Sequence, residues 1–221
     1  MNKKKVLFGI ILLLLLFILY LIYIKISFNN CVNNTIKYDK KINYSTNIIL
    51  KINNGYSNSK IDYDRVKSYN ITKISISRYL DNKLGSTVNR YIVNKGGKIT
   101  SYVYNGNKYI KEKPTKDFDL NYKLLKKSKV ISYTKNKYII KMKASDAYNL
   151  TYASNVMNKK KLKSNVKVTI ITNKDNFIKE ISYNIDNMNK TKNKDDKINY
   201  KVKIVNRDIN NQDTIKLPFK N

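Results

Sequence analysis

Three groups of residues in this 221-residue chain have side chains suited to chemistry: two close carboxylate pairs, one thiol and a run of lysines. Asp117 with Asp119, and Asp195 with Asp196, are acid pairs of the kind that serve hydrolysis or hold a cation. Both pairs lie in polar, loop-like stretches beside lysines, where solvated charge is the simpler role. Cys31 is the single cysteine and there is no histidine. Zinc and haem sites therefore lack ligands, and Cys–His or Ser–His catalysis lacks a base. No catalytic set, metal or cofactor is expected, and the chain reads as a non-enzyme. Lys159, Lys160, Lys161 and Lys163, around Leu162, make the densest basic run. They are candidate contacts to anionic headgroups or wall polymers, weighed against a solvated loop. Tyr102, Tyr104 and Tyr109 alternate, and either line a cavity or pack across strands.

The charge balance is extreme: 45 Lys and Arg against 15 Asp and Glu, a formal net charge of +30. The chain also has 33 Asn and three Ala, a bias that A/T-rich codons produce by themselves. A lysine here is thus weaker evidence of selection than in an average protein, although its charge acts all the same. Nucleic acid is not an expected partner. The lysines alternate along strands rather than clustering, and no binding signature for RNA or DNA is present.

The elements that must position these groups begin with the stretch from Val6 to Ile24, which carries no charge. Its nineteen residues make a helix of roughly 28 Å, the thickness of a bilayer core. No small-residue cleavage site follows, and Phe28-Asn29-Asn30-Cys31 lacks the small residues of a lipidation site. The reading is an uncleaved signal anchor, with Leu12, Leu16, Tyr20 and Tyr23 as its lipid and interface contacts. Lys3, Lys4 and Lys5 favour an amino terminus inside and a domain outside a bacterial membrane. The organisation expected is a basic tail at 1–5, the anchor at 6–24, a polar tether at 25–41 and a domain at 42–219.

Beyond residue 28 the chain holds 41 basic and 15 acidic residues, a net charge of +26. Its pattern is alternation. Strands are expected at Asn47–Asn53, in Tyr69–Ser77, and at Ile198–Val205. Hairpins are expected at Val88–Asn94 with Ile99–Tyr104 around Gly96-Gly97, and at Asn105-Gly106 leading to Lys108–Lys111. Two more are expected around Lys135-Asn136-Lys137 and Asn173–Asn176. Asp119–Lys127 and Ser145–Met157 read as helices, the second with Ser145 as its cap. Asn187–Lys197 reads as an exposed loop. The expected fold is mainly β with minor α: one antiparallel sheet of eight to nine strands, curved into an open half-barrel, with about two covering helices.

The hairpins, the inserted helix, the stretch V-K-V-T-I-I-T-N-K-D-N-F-I-K-E-I-S-Y-N (Val166–Asn184) and the closing D-T-I-K-L-P-F (Asp213–Phe219) resemble the LolA-like lipoprotein-carrier family. Many members are membrane-anchored, extracytoplasmic proteins of Gram-positive bacteria. The resemblance implies a half-barrel whose helix-covered face holds an apolar ligand. It carries no binding residues across, and the family's lipidated cysteine is missing here. Two functions are expected from these readings: an anchored domain binding lipid or another hydrophobic ligand, or a cationic scaffold on anionic envelope polymers. A filled sheet interior would favour the second. Cys31, on the expected tether, is free, acylated or cross-linked between copies. Mutual repulsion at +26 makes a monomer the expectation.

Overall fold

The computed structural model describes residues 3–39, 43–113, 120–151, 162, 164–188, 197–208 and 215–219, with backbone alone at 3–5 and 38. Helix α1 (Lys3–Asp39) leads into eleven strands: β1 (Tyr44–Asn53), β2 (Asn58–Ser68), β3 (Ile71–Leu80), β4 (Lys83–Lys95), β5 (Lys98–Tyr104), β6 (Tyr109–Glu112), β7 (Lys129–Thr134), β8 (Lys137–Lys143), β9 (Asn165–Thr172), β10 (Ile178–Ile185) and β11 (Asn199–Arg207). A 3-10 turn (Tyr122–Lys127) precedes β7, and the five-residue helix α2 (Ala144–Tyr148) follows β8. All strands join one antiparallel sheet in the order β6-β5-β4-β3-β2-β1-β11-β10-β9-β8-β7. The sheet is open, with β6 and β7 as its edges. It is the half-barrel with minor helix that the sequence leads one to expect, with more strands.

Alternation explains most of it. In β9 and β11, over Tyr44–Leu50 of β1 and over Ile181–Ile185 of β10, every second residue is buried, including Ile48 and Leu50, Val168 and Ile170, Ile181 and Tyr183, and Val202 and Ile204. Register places these side chains on one face, since Ile48 pairs with Ile204 and with Tyr63. Turn chemistry is as expected at Gly96 and Gly97, where φ is +57° and +84°, the left-handed values a two-residue turn needs. At Asn105-Gly106 only Gly106 has positive φ. The loop there runs from Asn105 to Lys108, and the Asn105 side chain accepts from the amides of Asn107 and Lys108.

Several expectations change. Of the helix expected over Ser145–Met157, residues 152–157 lie outside the described ones; among the described residues the helix covers Ala144–Tyr148, and Ser145 is not its cap, because Lys143 holds that position. The expected helix at Asp119–Lys127 tightens to the 3-10 turn. Strand β2 goes beyond the strands the alternation predicts, and Tyr69, expected in a strand, stands in a turn with a φ of +46°. Of the expected loop 187–197, residues 189–196 lie outside the described ones. Its ends close through the Met188 amide on the Ile198 carbonyl at 2.8 Å.

The largest correction concerns the tether. Residues 25–39 continue α1 and lie across the inner face of the sheet. Ile24, Phe28, Cys31, Val32, Thr35 and Ile36 recur at helical spacing, and the first five are buried. The contacts proceed strand by strand. Phe28 meets Tyr138 of β8 at 5.2 Å between centroids, and Ser27 and Tyr138 share a hydrogen bond of 2.9 Å. Thr35 Oγ1 accepts from the Ile178 amide of β10 at 3.0 Å and donates to the Cys31 carbonyl. At the helix end Tyr44 of β1 donates to the Asp39 carboxylate, Lys67 of β2 donates to the Asp39 carbonyl, and Arg65 of β2 stands 3.4 Å from that carboxylate. Arg65 is 2% exposed, a buried cation that the Asp39 charge stabilises. The helix thus crosses the strands at a steep angle, from β7 to β2.

This docking has measurable consequences. Phe28→Ala removes a fully buried ring and is expected to destabilise the domain by about 3–5 kcal/mol. Leu12→Ala, at a side chain 47% exposed, changes domain stability by less than about 0.5 kcal/mol. Denaturant unfolding of the full chain in detergent compares the two, and equal stabilities would contradict the packing. The same burial pushes the Cys31 thiol up to about 12. At neutral pH it is expected to resist maleimide and inter-chain oxidation until the domain unfolds. Non-reducing gels should show a 25.9 kDa chain without a reducible dimer.

Candidate functional site

One rim of the domain is built where α1 leaves its apolar run. From Leu7 to Tyr23 every side chain except Gly9 is exposed, and the helix is long and apolar enough to cross a membrane. Leu12, Leu16, Tyr20 and Tyr23 are 47%, 53%, 52% and 62% exposed, unclaimed by the domain. Burial begins at Ile24. One helical turn separates Leu21 from Lys25, so whatever touches both lies at the level where the apolar run ends.

Those neighbours are the 3-10 turn and the edge strand β7. Lys25 Nζ donates to the Ser128 carbonyl at 2.7 Å and to the Lys126 carbonyl at 3.2 Å, holding the C-terminal end of the turn with positive charge. Ser128 Oγ donates to the Leu125 carbonyl at 2.6 Å, and Leu125 is fully buried. The turn is therefore pinned from both sides. Between α1 and β7 lies a groove of about 320 Å³ lined by Leu21, Ile24, Lys25, Val130, Ile131 and neighbouring residues. Ile131 is 49% exposed there. Lys126, Lys127 and Lys129 are exposed beside it. An apolar slot with cations at its mouth can take an acyl chain and face an anionic headgroup.

The interior of the half-barrel, by contrast, is filled. Phe28, Cys31 and Val32 of α1, Leu125 of the turn, Ala147 and Tyr148 of α2 and Leu150 join the inner strand residues in one buried cluster. Several polar groups within it are paired. Asn206 donates to the Tyr122 hydroxyl at 3.0 Å and to the Ile178 carbonyl at 2.8 Å, and accepts from Thr46 at 3.0 Å. Tyr183 donates to the Ala147 carbonyl at 2.7 Å. Tyr44, Tyr122, Tyr183 and Tyr200 are buried, and burial raises each phenol above its ordinary range. They serve packing.

Lys159, Lys160, Lys161 and Lys163 lie outside the described residues, as do Asp117, Asp119, Asp195 and Asp196. Among the described residues no group of three or more His, Cys, Asp or Glu is placed to hold a metal. Tyr102, Tyr104 and Tyr109 come together on the outer face with Tyr91. Phe219 stands 4.6 Å from Tyr102 and 5.2 Å from Tyr109 between ring centroids. This is the cross-strand packing reading, with the chain's last described residue as its lid. The rim was missed in the sequence because Ile24-Lys25 and Val130-Ile131 are over a hundred residues apart. No local pattern joins them.

No known protein family matches the chain, and no curated protein matches it. Among solved structures it is similar to LprF from Mycobacterium bovis, with 12% identity over 86% of this chain and 96% of that one, and a TM-score of 0.46.

Proposed function

We propose that this chain is a single-pass membrane protein whose outer domain is a non-enzymatic lipid-binding module, seated on the membrane by a rigid anchor. The amino-terminal lysines favour an inside amino terminus, which places the domain outside the cell. Cleavage after the apolar run would cut a helix whose next turns are core, which supports an uncleaved anchor. The groove between α1 and β7 carries the ligand reading. It is apolar, it opens at the level of Leu21, Lys25 and Lys129 line it, and the exposed Lys126 and Lys127 precede it in the chain. The filled interior counts against a ligand inside the half-barrel, whose inner face α1 occupies; what keeps the lipid reading is the groove, so the ligand is a lipid of the surrounding bilayer bound at the rim. The domain works as a monomer on this reading.

The test is lipid retention. Full chain purified in mild detergent and examined by native mass spectrometry is expected to keep about one lipid, anionic in preference to zwitterionic. Ile131→Asp places a charge in the slot at an exposed position and should remove that lipid while leaving the thermal unfolding midpoint unchanged. Retention by Ile131→Asp equal to wild type, or no lipid on either, contradicts the rim site.

A further inference from the structure

The face of the sheet opposite α1 carries lysines in line. Lys129 of β7 pairs with Lys141 of β8, and Lys141 pairs with Lys167 of β9. On β10, Asn184 follows the Tyr183–Val168 pair and faces Lys201 of β11. Lys201 pairs with Lys51 of β1, and Lys51 pairs with Lys60 of β2. Six lysines and one asparagine therefore stand side by side across seven neighbouring strands, a row of roughly 29 Å at about 4.8 Å per strand. Lys60 is half-buried and the other five are exposed. Like charges directly opposite each other on a sheet destabilise it. A row this long needs an opposite charge.

The carboxylates at hand are few. Asp62 pairs with Lys60 at 3.0 Å, Glu180 pairs with Lys203 at 3.2 Å, and Asp186 lies beside the row. Two open grooves adjoin the row, about 450 Å³ toward Lys51 and Lys60 and about 650 Å³ toward Lys167 and Lys203. They share Asn184, Asp186 and Lys201. Direction identifies the occupant. On the other face, α1 crosses the same strands from β7 to β2, so the row runs along the helix axis. It starts at Lys129, on the membrane rim, and leads away from the bilayer. A flat anionic membrane would meet its lower end alone. A chain of negative groups can follow all of it. The row offers Lys, Asn, Ser and Thr and one aromatic ring at its far end, Tyr79, which pairs with Lys60 and has the Lys60 ammonium 4.8 Å from its centroid; Tyr183 and Tyr200 are buried on the inner face, so successive bases have no run of rings to stack on.

We infer that the outer sheet face binds a linear, base-free polyanion of the phosphodiester kind, laid along Lys129, Lys141, Lys167, Lys201, Lys51 and Lys60 and rising from the membrane surface. The site shares Lys129 with the lipid groove and otherwise lies on the outer face, away from it. Binding is electrostatic and sequence-independent, and it scales with the number of negative groups that reach the row.

The probe is long-chain inorganic polyphosphate, titrated onto the full chain in zwitterionic nanodiscs across a salt series. The dependence of log Kd on log salt is expected to have a slope of about 4, at roughly 0.7 per lysine engaged on a flexible strand. Pyrophosphate should bind at least tenfold more weakly. K51Q/K167Q/K201Q should lower affinity about tenfold or more and bring the slope to about 2, with no loss in thermal midpoint because it relieves like-charge pairs. K95Q/K98Q/K108Q, with the same change in net charge at the hairpin ends, should change affinity less than twofold. Equal losses in the two triple variants would overturn the row. So would single-stranded DNA binding more tightly than polyphosphate, or phosphatidylglycerol vesicles displacing it fully.

Discussion

The docking of residues 24–39 of α1 across the inner face of the sheet is the interaction on which the rest of the structure depends. An open eleven-stranded sheet has an apolar face to bury and no second sheet to bury it against. The anchor supplies the cover. Phe28, Cys31, Val32 and Thr35 are fully buried there, and the helix end is fixed by Tyr44, Arg65 and Lys67 converging on Asp39. The apolar run and the core element are one continuous helix.

Two consequences follow from that continuity. The strands lie across the axis that α1 sets, so β7 stands beside the end of the apolar run and β2 away from it. The inner face is also spent on the anchor, which leaves the rim groove and the outer face as the surfaces open to ligands. Buried polar groups reinforce the arrangement. Asn206 joins β1, β10, β11 and the 3-10 turn, and a buried side chain with that many bonds specifies register as well as stability.

Much of this was legible in the sequence. Nineteen uncharged residues announce a membrane helix, and Gly96-Gly97 and Asn136 mark tight turns between alternating strands. The helical stripe Ile24, Phe28, Cys31, Val32, Thr35, Ile36 was present too, but Asn29, Asn30, Asn33 and Asn34 hid it, since asparagine disfavours helix interiors. Strand β2 escaped because Arg65 and Lys67 sit at inward positions where apolar residues are expected. In Asn58–Ser68 the charges fall on both faces. The lysine row was illegible for a different reason. Alternation along a strand says which face a lysine occupies, whereas register between strands decides whether lysines line up, and register is set by turns and bulges far from the residues it aligns.

Amide hydrogen exchange of the full chain in nanodiscs tests the central claim most directly. If residues 28–36 are core, their amides should exchange as slowly as those of β1 and β11 and only through unfolding of the whole domain, with the same denaturant dependence. Exchange of that segment in seconds, while β1 and β11 stay protected, would show a free tether and contradict the account.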